Sequence, residues 1–163
     1  MEFLLRSYAP EDADALGQVF FRGVHEGAAA KYSIDQRAAW VPEPPTGEAW
    51  ESKLANSDCV VALCEGKIVG FMSRQGAYFD MAYVLPEVMG KGVAGVMCAV
   101  IEGRARADGI THMTVDASHL AESFFERRGW NLVRRQEVER RGVTLQNCKM
   151  EKHLVRGDER LSA

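Results

Sequence analysis

Met89-Gly90-Lys91-Gly92-Val93-Ala94-Gly95 decides the fold. An apolar strand, Tyr78 to Leu85, runs into it and is stopped by Pro86. A helix runs out of it, with Val93, Val96, Met97, Val100 and Ile101 on one face and Gly109 as its stop. Strand, glycine-rich turn and helix make a phosphate cradle. The helix start leaves backbone N–H groups unpaired and carries a partial positive charge. Glycines remove the Cβ atoms that block close approach. Gly90, Gly92 and Gly95 also spell G-x-G-x-x-G, and Asp116 follows 21 positions after Gly95. Taken literally, that is a dinucleotide fingerprint. A Rossmann domain, however, places it on its first strand. Here four strand candidates precede the turn, and the residues after it end in an antiparallel hairpin. A glycine-lined helix start with no ligand is the third reading.

Upstream, Phe3 to Tyr8 reads as a strand, and Pro10 suits the first turn of a helix. Leu16, Val19, Phe20, Gly23 and Val24 form that helix's apolar face. Ser33 with Gln36 is a capping box for a short helix ending before Pro42, and Trp50 and Leu54 mark a third helix. Cys59 to Cys64 and Lys67 to Ser73 flank Glu65-Gly66 as a hairpin. Downstream come a strand at Thr111 to Asp116 and a helix capped by Ser118 and ended by Gly129. A second hairpin runs from Leu132 to Lys152 around Arg140-Arg141-Gly142. This order predicts an α/β (α+β mixed) domain over residues 1–155, with a polar tail over 156–163. Its centre is a mixed, mostly antiparallel sheet of about seven strands with helices on both faces.

Composition sets outer limits. The chain has 163 residues and a net charge of −3, so its surface carries no broad nucleic-acid footprint. It lacks an apolar run long enough for a membrane span and begins without a signal peptide's basic start, so a cytoplasmic protein is expected. The four cysteines, Cys59, Cys64, Cys98 and Cys148, form no C-x-x-C and have no histidine at zinc spacing. Free buried thiols and no metal site are expected.

The turn resembles the acetyl-CoA loop of the GNAT N-acetyltransferases, whose motif is Q/R-x-x-G-x-G/A. Gly92 and Ala94 match its last two positions, and Met89 replaces the Gln or Arg. The resemblance extends from about residue 3 to 153. Tyr83-Val84-Leu85-Pro86 is similar to the family's strand end before the loop. Ala117-Ser118-x-x-Ala121-x-x-Phe124-Phe125-x-x-Arg128-Gly129-Trp130 looks like its second cofactor-side helix. Tyr32-Ser33-x-x-Gln36-x-x-Ala39-Trp40 and Arg140-Arg141-Gly142-Val143-x-Leu145 resemble the YafP-like branch.

The resemblance implies the GNAT fold and direct acetyl transfer from acetyl-CoA to an amine of a small molecule or peptide, without a metal. The implied cofactor-binding residues are Met89, Gly90, Lys91, Gly92, Val93 and Ala94 at the pyrophosphate, with Tyr83, Val84, Ser118 and Phe125 along the arm and thioester. Arg127 is a further phosphate candidate. The strand 78–85 would splay from its neighbour, with a bulge at Met81-Ala82, so that the amide-like arm can pair with the open edge. A backbone N–H near Tyr83 or Val84 would polarise the thioester carbonyl, an effect worth about 2.7–4 kcal/mol. Deprotonating a lysine-like amine at pH 7 costs about 4.6 kcal/mol, and an α-amine about 1.4 kcal/mol. Asp80, a charge inside an apolar strand, is the candidate base, ahead of Glu26 and Glu122. His25, Tyr32, Trp40 and Tyr78 are the candidate acceptor-binding residues. Phe125 stands where many members carry the tyrosine that protonates the leaving thiolate. The alternative reading is a catalytically degenerate acetyl-CoA sensor or partner module. Oligomeric state is open between a monomer and a homodimer.

Overall fold

The computed structural model describes residues 1–155; the polar tail expected from Arg156 lies outside the described residues. The chain begins with β1 (Leu4–Ser7) and a 3-10 turn at Pro10–Asp12. Proline sits at its N1 position, as the sequence requires, but α1 (Ala13–His25) starts only after the turn. Buried Asp12 holds that junction. Arg6 donates two hydrogen bonds to it, at 2.7 and 2.9 Å, and the Ala9 amide a third at 2.9 Å. The Arg6 bonds keep the Asp12 carboxyl below the usual carboxylate range.

Two short helices follow, α2 (Ile34–Trp40) and α3 (Glu48–Ala55). The expected capping box is present: Ser33 Oγ accepts from the Gln36 amide at 3.1 Å, and Gln36 Oε1 from the Ser33 amide at 2.9 Å. Next come β2 (Asp58–Cys64), β3 (Lys67–Gln75) and β4 (Tyr78–Val84), a 3-10 turn at Pro86–Val88, and α4 (Val93–Ala107). The chain then runs through β5 (His112–Ser118), α5 (Glu122–Arg127), β6 (Asn131–Arg140) and β7 (Val143–His153).

The seven strands form one sheet in the order β1-β2-β3-β4-β5-β7-β6, and only β4 and β5 are parallel. The single intervening helix, α4, is what allows that parallel pair. Side-chain alternation assigns the two faces. Phe71 meets Trp50, Phe20 meets both Trp50 and Tyr83, and these define the face covered by α1, α2 and α3. Gly70 packs toward Met97 of α4 on the other face. There Phe79, Phe125 and Trp130 make mutual edge-to-face contacts, with centroids 5.2–5.9 Å apart. Each such pair adds about 0.5–1.5 kcal/mol beyond its buried area.

Two expectations are corrected. Ser118 ends β5 and is not the cap of α5, whose N-cap residue is Ala121. Its Oγ instead accepts from the Ala121 amide at 3.2 Å, so the hydroxyl organises the turn before the helix. Val96 is 51% exposed, and the buried side of α4 runs through Met97, Cys98, Ile101, Glu102 and Ala105. The thiols are free; Cys59, Cys98 and Cys148 are buried and Cys64 is partly exposed. Burial pushes the Cys59 thiol up to about 12 and the Cys148 thiol up to about 11, which makes both inert at neutral pH.

Glu102 is a charge inside this core, only 3% exposed. Lys152 Nζ lies 2.6 Å from it, Cys98 Sγ donates at 3.1 Å, and Trp130 Nε1 points at it from 3.5 Å. The carboxylate therefore ties α4 to β7 and to the aromatic cluster. Glu102→Ala leaves the Lys152 ammonium without its ion-pair partner and should destabilise the chain by about 3–5 kcal/mol. Urea denaturation measures this; a loss under about 1 kcal/mol would show that solvent replaces the pair.

Candidate active site

β4 and β5 pair only at Tyr78–Thr114 and Phe79–Val115, and then part. The parting begins at Asp80. Across β3, Arg74 lies opposite Phe79 and Ser73 opposite Met81, which leaves Asp80 as an extra residue. The bulge is therefore at Asp80, one position before the expected Met81-Ala82. Packing explains the position. Phe79 must enter the aromatic cluster on the α5 face, while Met81, opposite Ser73, must point to the α1 face. One additional residue between them satisfies both, and Asp80 and Met81 then face the same side.

Above the α1 face lies a cavity of about 350 Å3. Phe20, Tyr32, Trp40 and Tyr83 form its aromatic wall, Asp80 and Asp116 its carboxylates, and the β6–β7 hairpin its far side through Val138, Arg140 and Leu145 to Asn147. Asp80 is 17% exposed, and Lys53 Nζ sits 3.1 Å from its Oδ2. Asp116 accepts from the Tyr78 hydroxyl and from Gln136 Nε2, both at 2.8 Å. Burial, followed by that bond to Asp116, pushes the Tyr78 hydroxyl well above its usual range, so it stays protonated. Buried Tyr32 donates to the Gln146 carbonyl at 2.7 Å and accepts from the His119 amide at 2.9 Å. It thus ties the helical side of the cavity to the hairpin. Its hydroxyl is also raised by burial.

On the opposite face a cleft of about 380 Å3 runs between the start of α4 and α5. Its lining includes Val84, Met89, Gly90, Gly92, Val93 and Ala94, along with Phe125, Arg127 and Arg128, and holds no carboxylate. Gly90 and Gly92 have φ of 76° and 93°, a left-handed backbone that glycine adopts without strain. α4 has no side-chain cap, so the amides of its first turn, whose residues line the cleft, have no side-chain partner. Gly95 serves Arg128: a Cβ there would lie 2.0 Å from its guanidinium, which rests 4.1 Å above the Phe124 ring. The glycine thus lets a cation lie against the helix start.

A narrow slot of about 50 Å3 between the parted strands shares lining residues with both cavity and cleft. Asp80 to Tyr83 line one side, and Val115 to Ser118 with Phe125 the other. The Leu85 amide donates to the Val69 carbonyl at 2.8 Å, so Leu85 faces β3. Strand alternation then turns the Tyr83 amide toward β3 and the Val84 and Ala82 amides toward the slot.

Of the acceptor candidates, Tyr32, Trp40 and Tyr78 reach the cavity and His25 does not. His25 stacks on Phe21 and bonds through Nε2 to the Val41 carbonyl at 2.7 Å. Lys91 is exposed outside the cleft lining, and its amide is committed to the Val88 carbonyl at 3.2 Å. Glu26 pairs with Arg22 and Glu122 with Arg135, neither at the cavity. Sequence reasoning missed the hairpin wall and Lys53, which only the tertiary fold brings near Asp80. It gave Arg128 no role of its own, although Gly95, the third residue of α4, was its trace.

Residues 28–153 match the acetyltransferase (GNAT) domain family. The chain is 38% identical over 146 residues to the Escherichia coli (strain K12) protein named uncharacterized N-acetyltransferase YafP, covering 90% of this chain and 93% of that one. It superposes with a TM-score of 0.88 on a GCN5-related N-acetyltransferase from Rhodopseudomonas palustris, at 34% identity over 94% of this chain and 97% of that one. PaiA N-acetyltransferase from Thermoplasma acidophilum, solved with coenzyme A, shares the fold at 17% identity, with a TM-score of 0.76 over 94% and 99% of the two chains. The cleft, the slot and these likenesses lead to one conclusion: the chain belongs to the GNAT family of acetyltransferases.

Proposed function

We propose that the cleft holds acetyl-CoA, that the cavity holds a primary amine of a small molecule or peptide, and that acetyl passes between them through the slot. The carrying observation is a pair of unlike pockets across one opening. A cleft with arginines and no carboxylate on one face meets, where β4 and β5 part, an aromatic cavity on the other that carries Asp80 and Asp116 beside Lys53 and Arg140. The first is suited to a pyrophosphate and the second to an amine.

In this reading the α4 amides and Arg128 hold the pyrophosphate. The open edge of β4 pairs with the amide-bearing arm of the cofactor. The Val84 amide donates to the thioester oxygen and stabilises the negative charge that develops there. Asp80 takes the proton from the amine, directly or through a water, and Lys53 beside it holds the carboxylate in position. The neutral amine attacks the carbonyl carbon, the C–S bond breaks, CoA departs with the electron pair on sulfur, and the surplus proton on the new amide nitrogen passes to solvent. Phe125 cannot donate a proton to that sulfur. With a thiol pKa near about 8.5, release as thiolate costs only about 2 kcal/mol at pH 7. The Thermoplasma relative, solved with coenzyme A on the same fold, supports the cofactor assignment.

CoA release from acetyl-CoA across a panel of amines tests the whole. Tight acetyl-CoA binding with no acceptor-dependent release would favour a sensor without turnover. Gly95→Ala tests the pyrophosphate site. The new methyl displaces only the mobile end of Arg128, and alanine favours a helix by about 0.5–1 kcal/mol, so Tm should hold or rise. CoA affinity should nonetheless drop by about tenfold, the worth of one charge-assisted hydrogen bond; unchanged affinity on calorimetry removes Arg128 from the site. Asp80→Asn should cut kcat/KM about 100-fold with CoA binding intact, the deficit being largest at low pH, where the amine is protonated. Equal pH–rate profiles for variant and wild type would exclude Asp80 as base.

A further inference from the structure

Away from the cavity and cleft, three ligating side chains share one patch of sheet. His112 on β5 lies directly opposite His153 on β7, and Glu151 precedes His153 by two residues, on the same face. One donor atom from each lies within 4.8 Å of the others. His112 Nε2 is 2.9 Å from Glu151 Oε2, and the two imidazole centroids are 4.7 Å apart. The Leu154 amide donates to the Thr111 carbonyl at 2.8 Å, so the adjacent His112–His153 pair is a non-hydrogen-bonded one. In such pairs the side chains stand closest. The side chains of His112 and Glu151 are 42% and 36% exposed, so the patch opens to solvent.

The geometry points to a binding site for a borderline divalent cation of the Zn2+ class, independent of the acetyl-transfer site. Two imidazoles and one carboxylate form a donor set that suits Zn2+, Cu2+ or Ni2+ and disfavours Mg2+ or Ca2+, which seek oxygen. Around a tetrahedral Zn2+ with bonds of about 2.0–2.2 Å, ligand atoms stand about 3.3 Å apart. The present donor spacing approaches that with side-chain rotation alone, because the ladder already fixes the backbones. Water completes the fourth position. The bound ion ties the start of β5 to the end of β7, two strands that flank the cavity further along.

The test uses the full chain without a polyhistidine tag and Zn2+ alone as probe. Calorimetry should give one Zn2+ per chain, weakened about tenfold or more by His112→Gln and by His153→Gln. Cys64→Ser, which removes the one partly exposed thiol, should leave it unchanged. Histidine ring resonances of His112 and His153 should shift together on titration, while that of His25 stays. Zn2+ should raise Tm in the wild type and not in the doubly substituted chain. Circular dichroism confirms that the variants fold, as surface replacements should. Absence of saturable binding, binding that survives both histidine changes, or binding lost with Cys64 would each overturn the assignment and leave His112 and Glu151 as a simple hydrogen-bonded pair.

Discussion

One surplus residue, Asp80, is the constraint on which the site depends. The aromatic cluster on the α5 face claims Phe79, and the opposite layer claims Met81. A regular strand cannot send residues two apart to opposite faces, so the ladder with β3 must bulge. The bulge coincides with the parting of β4 from β5 after two paired positions, and the slot lies in that gap. A core-packing demand and an active-site opening are thus the same event. A carboxylate is placed at the mouth because the bulged residue is the one whose side chain the packing does not need.

Charge is handled locally throughout. The chain is mildly acidic, yet the cleft lining contains arginines and no carboxylate. The first-turn amides of α4 add partial positive charge without adding any to the total. The cavity across the sheet balances Asp80 and Asp116 against Lys53 and Arg140. The sheet separates the two pockets, and the slot between the parted strands shares lining residues with each. Net charge is silent on this arrangement, which arises from side chains that only the fold brings together.

Much of the fold was legible because it rests on local chemistry. Ser33 with Gln36, Pro10, Glu65-Gly66 and the Gly90–Gly95 run each specify a cap, a turn or a helix start within a few residues. The element order then left one plausible sheet. The failures are equally physical. Ser118 looked like a cap because its hydroxyl does accept an amide bond, but three residues before the helix. The bulge register could not be read from β4 alone, since it is set by Phe125 and Trp130, some fifty residues later. His25 lies on the cavity side of the molecule, yet the Val41 carbonyl claims its ring. The hairpin wall and the His112–His153 pair come together only through strand pairing, which no spacing rule in the chain records.

The parted strands also bear on traffic. The cleft and the cavity open on opposite faces of the sheet, with only a small slot between them. If they hold cofactor and acceptor, each occupant arrives and leaves by its own door. On the proposed reading neither substrate obstructs the other's entry, so both can be present before chemistry begins. Compounds that crowd the cofactor's door would contend with acetyl-CoA and leave the amine's door free. A molecule spanning the slot would occupy both at once, and the width of that opening sets how slender its bridge must be.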